Sequence, residues 1–153
     1  MNSKETIGLA AEYAVSFELC RRGFYAQLTL GNHKKTDILV EDNKKLFRVS
    51  VKAKTGNQWP KVSGIWAEGD LLVFVDFKGK DLRELPDFYV LDVDAWRSVT
   101  KRIIKTRTDG AKVNDENTVY WDPWPGSPKG WTGCAISASQ VKKYKDCWPE
   151  PIS

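Results

Sequence analysis

Two short apolar runs on either side of a turn-forming cluster constrain the fold of this chain more than any other feature. Residues 36–40 (TDILV) and 46–54 (LFRVSVKAK) alternate in polarity and are rich in β-branched residues, which is typical of strands. Residues 41–45 (EDNKK) between them favour a turn. A hairpin with Asn43 and Lys44 at its tip pairs residues whose numbers sum to 87, which predicts that Asp37 lies opposite Ser50.

This register would bring three polar side chains together on one face of a sheet. Side chains two residues apart on a strand share a face, so we expect Lys52 beside Asp37 and Ser50. A carboxylate and an ammonium group side by side suit a site for a metal ion and a phosphate.

The size and composition of the chain indicate a single α/β domain. The 153 residues are 41% hydrophobic and 29% charged, as in ordinary globular proteins. We expect one domain over 1–153, with a core over about 1–105 and an irregular, tryptophan-rich C-terminal extension over about 106–153. The predicted elements are a helix over 4–22 capped by Ser3, strands over 24–30, 36–40, 46–54, 71–77 and 88–93, a loop over 55–69, a helix capped by Asp94 that runs to about 105, and a last helix over 140–146. The run over 71–77 is apolar almost throughout, which indicates a central strand buried on both faces. The predicted buried stripe of the first helix comprises Ile7, Ala10, Ala11, Ala14 and Phe17.

Several functional classes are disfavoured by composition. No apolar run approaches the roughly 20 residues of a membrane span, and the N-terminus lacks the layout of a signal peptide, so a cytoplasmic location is expected. The single histidine, His33, argues against a His-based triad. Three widely spaced cysteines suit neither a disulfide framework nor a zinc site, and we expect buried or half-buried thiols.

The positive charge is concentrated in two segments. Residues 31–61 contain eight Lys or Arg and three acids, and residues 97–112 contain six and one, so each segment carries +5 on a chain whose net charge is +4. Such a distribution favours a face that binds a polyanion, although lysines on hairpins and helices are also often merely solvated.

Together these features resemble the PD-(D/E)xK nuclease superfamily, which includes restriction endonucleases, Holliday junction resolvases and some homing endonucleases. The resemblance lies in residues 8–12 (GLAAE), Thr36-Asp37 and residues 50–52 (SVK), within about the first 95 residues. It extends weakly to residues 141–148 near the C-terminus. It implies a restriction-endonuclease-like core, with a mixed central sheet flanked by helices.

The resemblance also implies a metal-dependent DNA endonuclease that uses Mg²⁺ or Mn²⁺ and works as a homodimer. Asp37 would be the principal metal ligand, Val51 would offer its carbonyl, and Glu12 would add a carboxylate from the first helix. Lys52 would be the catalytic cation. The chain departs from the pattern at Ser50, where active members carry Glu, Asp or sometimes Gln.

Other interpretations of these residues stay open at this point. Asp37 and Lys52 could form a structural salt bridge or be solvated, and Glu12 could be a surface residue. Trp59 could stack on a base or only pack in the protein. The residues expected to contact nucleic acid are Lys34, Lys35, Lys54, Trp59 and Lys61, and Glu68 or Asp70 could be displaced metal ligands. The alternative function is an inactive nuclease-like module that binds nucleic acid or a protein partner.

Overall fold

The computed structural model describes residues 3–29 and 36–152. Its first helix, α1, spans Lys4–Arg21, and the Ser3 side chain caps it by accepting a 3.2 Å hydrogen bond from the Thr6 amide. The sequence predicted this helix and its cap. In the part of the chain that is described, no helix has the length and apolar character needed to cross a membrane.

The buried face of α1 differs from the prediction. Periodicity favoured a stripe of Ile7, Ala10, Ala11, Ala14 and Phe17. Of these, Ala11 is buried and Ala14 is half-buried, as predicted, whereas Ala10 and Phe17 are exposed. Val15 and Leu19 pack on the sheet in their place. Apolar residues occur all around this helix, so the sequence pattern alone does not single out one face.

Ten strands follow α1 in the described part of the chain, and five of them form the central sheet. The strands are β1 Tyr25–Leu28, β2 Ile38–Asp42, β3 Lys45–Lys54, β4 Gln58–Val62, β5 Leu71–Asp76, β6 Asp87–Leu91, β7 Lys112–Val113, β8 Val119–Trp121, β9 Trp131–Thr132 and β10 Cys134–Ser137. The central sheet has the order β1-β2-β3-β5-β6. Only β3 and β5 run parallel within it, so the sheet is mixed, as predicted. Every residue of β5 is buried, as its continuous apolar run indicated.

Two hydrophobic clusters hold helices against the two faces of this sheet. On one face α1 packs on odd-numbered side chains of β3 and β5, such as Val49 and Val73. On the other face lie Phe74 and the second helix, α2, which spans Val93–Thr106. Asp92 caps α2 by accepting a 2.8 Å hydrogen bond from the Ala95 amide, so the prediction that Asp94 is the cap is wrong by two residues.

The C-terminal part of the chain is more ordered than its composition predicts. The predicted loop over 55–69 contains β4, which pairs with β10, while β7, β8 and β9 form a small sheet. The last helical segment comprises α3, Ala138–Val141, and a 3-10 turn, Lys142–Tyr144, so it begins two residues before the predicted helix. Val119, Ile136 and Val141 are buried in the cluster that also contains α2.

The cysteines are less buried than predicted. Cys134 is buried, but Cys20 and Cys147 are exposed. Burial raises the pKa of the Cys134 thiol to about 11.

Candidate active site

The predicted hairpin between β2 and β3 is confirmed. Its pairs run from Asp42 with Lys45 to Ile38 with Val49, so their numbers sum to 87. Asn43 and Lys44 form the tip with φ values of 47° and 67°, as a two-residue turn with the right twist requires.

Asp37 lies just beyond this ladder, and its predicted pairing with Ser50 is not formed. The Asp37 amide instead donates a 3.0 Å hydrogen bond to the Val49 carbonyl. The Asp37 carboxylate accepts a 2.7 Å hydrogen bond from the Val51 amide through Oδ2. The side chain therefore satisfies a backbone donor that β2 no longer reaches, which fixes the carboxylate at the edge of β3.

Glu12 of α1 joins Asp37 at this edge. The two carboxyl groups lie close enough to interact, and the pKa of Glu12 is raised to about 7. Burial is the largest cause of this increase, followed by the charge of Asp37 and the hydrogen bond with it. Glu12 therefore keeps its proton up to a pH of about 7, and a bound cation would relieve the repulsion that raises this pKa.

The third oxygen at this edge belongs to the backbone. The N–H and C=O groups of one strand residue leave the same edge, so the Val51 carbonyl lies on the side of β3 where its amide meets Asp37. Two carboxylates and a carbonyl are ligands that Mg²⁺ accepts, with waters completing the coordination shell. Within residues 3–29 and 36–152, however, no group of three or more His, Cys, Asp or Glu side chains is suitable for holding a metal ion.

Ser50 and Lys52 flank Val51 on β3, and their side chains lie on the face opposite α1. Ser50 is buried, with 7% of its surface exposed, and Lys52 is half-buried. Among the described residues no acid lies within ion-pairing distance of Lys52, so the structural salt bridge with Asp37 is not formed. Lys52 thus offers an uncommitted ammonium group one residue from Val51.

Lys54, in contrast, does not have the role predicted for it. Its side chain is 3% exposed, and its ammonium lies 2.8 Å from Oδ1 of Asp76 and donates to the Gly56 carbonyl at 3.0 Å. The prediction that it follows a DNA backbone is wrong, because the pairing of β3 with β5 places Lys54 beside Asp76 in the interior.

Trp59 is also a core residue rather than a nucleic-acid contact. It is 1% exposed, and its indole N–H donates a 3.1 Å hydrogen bond to the Val75 carbonyl. Its ring packs on Phe74 with 4.9 Å between ring centroids. The prediction of a base contact is wrong, and the packing interpretation holds, because β4 turns this side chain inward.

The remaining predicted contacts differ in outcome. Lys61 is exposed, with its ammonium 4.6 Å from the ring centroid of Trp131. His33, Lys34 and Lys35 lie outside the described residues.

Neither proposed displaced ligand reaches the candidate site. Asp70 is held by Arg48, whose Nη2 donates to Oδ2 at 2.7 Å. Glu68 lines a cavity with Asp42 and Lys45 near the tip of the hairpin. Both acids thus lie in the segment before β5, and neither forms a group of metal-binding side chains with Glu12 and Asp37.

An open groove lies one helical turn from Glu12. It has a volume of about 670 Å³ and is bounded by the start of α1 and by residues that follow Lys52, among them Ile7, Gly8, Ala53, Gly56 and Pro60. No atom lies within 4 Å of the position that a Gly8 side chain would occupy. The sequence did not indicate this groove, because β4, which forms part of it, was predicted as a loop.

The solved structures to which this chain is similar include two nucleases. A bacterial homing endonuclease matches with a TM-score of 0.46 and 22% identity over 61% of this chain and 71% of that chain. A Holliday junction resolvase from Archaeoglobus fulgidus matches with a TM-score of 0.43 and 11% identity over 89% and 88%. At these scores neither likeness assigns a family or an activity. No known protein family and no curated protein matches the sequence.

Proposed function

We propose that this protein is a metal-dependent endonuclease that hydrolyses phosphodiester bonds of DNA. The observation that supports this proposal best is the Glu12–Asp37 carboxyl pair, anchored to the Val51 amide by the 2.7 Å hydrogen bond of Asp37. These paired carboxylates lie beside Val51, and the next residue of β3 is Lys52, which has no acidic partner among the described residues. Two carboxylates and a nearby ammonium group suit phosphate chemistry.

Each residue has a distinct role in this proposal. Asp37, Glu12 and the Val51 carbonyl hold Mg²⁺ or Mn²⁺, which when bound polarises the scissile phosphate. The Val51 amide keeps the Asp37 carboxylate in one orientation. The Lys52 ammonium neutralises negative charge that develops on the phosphate in the transition state. Cutting both strands of a duplex needs two such sites, and we propose a homodimer for that reason.

A second candidate is a module of similar architecture that binds nucleic acid, or a protein partner, without cutting it. Ser50 favours this function because it supplies no charge at a position where the resembled nucleases carry an acid. The described residues also provide only two carboxylates for a cation. Affinity for a divalent ion falls with each lost anionic ligand.

Incubation of the purified protein with supercoiled plasmid and with branched DNA, in Mg²⁺ or Mn²⁺, separates the two candidates. We expect nicking that EDTA stops and that Lys52→Ala and Asp37→Asn abolish. Lys142→Ala is the matched control, because it removes one exposed lysine from the C-terminal segment and leaves the candidate site intact. Salt-sensitive DNA binding with no metal-dependent nicking would establish the binding module instead.

A further inference from the structure

A second cavity of about 530 Å³ is built from tryptophans of the small sheet. Trp121 ends β8, Trp131 begins β9, and Trp124 lies in the segment that joins these strands. The charged residues at its edge are Arg107, Asp109, Lys112 and Asp122. Trp124 and Trp131 are 45% and 47% exposed, which is a large exposed fraction for indole side chains.

Hydrogen bonds hold the connecting segment in one shape. The backbones of Trp124 and Ser127 exchange hydrogen bonds of 3.1 and 2.8 Å, and the Ser127 hydroxyl donates to the Gly130 carbonyl at 2.7 Å. Gly130 has a φ of +74°, and a side chain there would lie 2.5 Å from the Trp121 carbonyl. These hydrogen bonds hold the segment between Trp121 and Trp131 in one conformation. Less conformational entropy is therefore lost when a ligand binds to the indoles.

Two cationic side chains lie over tryptophan rings that line this cavity. The guanidinium of Arg107 lies 5.1 Å from the ring centroid of Trp121, and the ammonium of Lys61 lies 4.6 Å from that of Trp131. These two cations would repel a positively charged ligand, whereas a planar ring attached to an anion could stack on the indoles and pair with the cations.

The two acids at the edge are neutralised by neighbours. Arg107 and Asp109 form an ion pair with an N–O distance of 2.7 Å, and Lys112 pairs with Asp122. The hydrogen bond from Arg107 is the largest cause that lowers the pKa of Asp109 to about 2. With these pairs formed, the four charged lining residues sum to zero, and the Lys61 ammonium over the Trp131 ring adds one positive charge.

We propose that this tryptophan pocket binds an unpaired nucleobase of a nucleic-acid strand, with Arg107, Lys112 and Lys61 contacting the adjoining phosphates. The volume is within the range of small-ligand sites, and stacking on aromatic rings accepts every base because each has a π-face. The choice of a nucleic acid as the ligand rests on the proposed function. The pocket adds a contact with an unstacked nucleotide.

The test is the binding of a fluorescently labelled 12-nucleotide thymidine oligonucleotide to full-length protein in EDTA, with Asp37→Asn as the background. We expect each of Trp124→Ala and Trp131→Ala to weaken binding about tenfold, Trp131→Phe to restore most of it, and the oligonucleotide to quench tryptophan fluorescence. Tyr13→Ala is the control, because Tyr13 is 60% exposed on α1, and we expect no change.

Two results would overturn the proposal. One is equal oligonucleotide affinity in the tryptophan variants and their background while circular dichroism shows them folded. The other is saturable binding of tetramethylammonium, lost in Trp131→Ala, in the absence of oligonucleotide binding, which would define a cation site. Neither result affects nicking by the wild-type protein in Mg²⁺, so failure of this pocket and failure of the nuclease proposal are separate outcomes.

Discussion

The Asp37 carboxylate accepts a 2.7 Å hydrogen bond from the amide of Val51, at the point where β2 ends beside β3. This contact replaces a missing backbone partner and at the same time sets the Asp37 side chain next to Glu12. One residue therefore contributes to both the order of the sheet and the geometry of the candidate site, and substitutions at Asp37 can separate these contributions.

We expect Asp37→Asn to abolish metal-dependent nicking with little loss of stability, because the amide oxygen can still accept from Val51. Asp37→Ala should abolish nicking and also reduce the free energy of unfolding by about 1–3 kcal/mol, since it leaves the Val51 amide unsatisfied. Urea denaturation compared with plasmid nicking measures the two effects. Equal stability of the Asn and Ala variants would show that this hydrogen bond contributes nothing.

The raised pKa of Glu12 predicts a pH dependence of stability. Its pKa is raised from 4.5 to about 7 in the folded protein. The folded state then keeps a proton that the unfolded chain releases, so this group's contribution to stability falls as pH rises from about 4.5 to about 7 and is constant above that. Glu12→Gln should remove this part of the decline, whereas Glu5→Gln, on the exposed first turn of α1, should not.

The same proton should compete with a divalent cation. We expect Mg²⁺ to raise the melting temperature more at about pH 8 than at about pH 5.5, because carboxylates bind a metal in their deprotonated form. In Glu12→Gln the difference between the two pH values should shrink. A Mg²⁺ effect that is identical at both pH values in the wild-type protein would argue against a metal at this pair.

Ser50→Glu tests whether the candidate site lacks only a charged ligand. If the other ligands are in place, this change should strengthen Mn²⁺ binding about tenfold or more, since each added carboxylate favours a hard cation. Ser50→Gln is the matched control, because it has nearly the same size without the charge. Titration calorimetry gives both affinities, and equal values for the two variants would contradict the proposed geometry.

The buried Lys54–Asp76 pair should matter for stability rather than for DNA binding. Lys54→Met leaves Asp76 without its cation and should cost about 3–5 kcal/mol. Adding Asp76→Asn should recover much of this loss, because the amide is neutral and can still accept from the Lys78 amide. The salt dependence of DNA binding by the folded double variant should match that of the wild type. A shallower dependence would mean that Lys54 contacts phosphate after all.

The cysteines provide an independent test of the packing. Cys20 and Cys147 should react with a maleimide in the native protein, while Cys134 should react only after denaturation, because it is buried and its pKa is about 11. Mass spectrometry of peptides after brief labelling measures this. Rapid labelling of Cys134 would show that β10 separates readily from the core.

The elements that could be predicted are those whose signals are local. The β2–β3 register followed from a two-residue turn flanked by alternating strands, and the burial of β5 followed from its unbroken apolar run. The cap at Ser3 depends only on residues within one turn. The candidate site was harder to predict. The hairpin pattern and the resemblance together indicated Glu12, Asp37 and Lys52. The hydrogen bond from the Val51 amide to Asp37 could not be predicted, because it forms where the regular ladder stops.

The sequence by itself thus determined the β2–β3 hairpin and the buried central strand β5. It also indicated which acidic and basic residues belong to the candidate site. Only the tertiary structure decided which lysine of β3 can interact with a ligand. Lys52 lacks an acidic partner among the described residues. Lys54, two positions along the same strand, forms an ion pair with Asp76 of the parallel neighbour β5. Trp59 became a core residue because β4 pairs with β10, far along the chain. Such outcomes depend on contacts between distant segments, and local patterns of polarity carry no information about them.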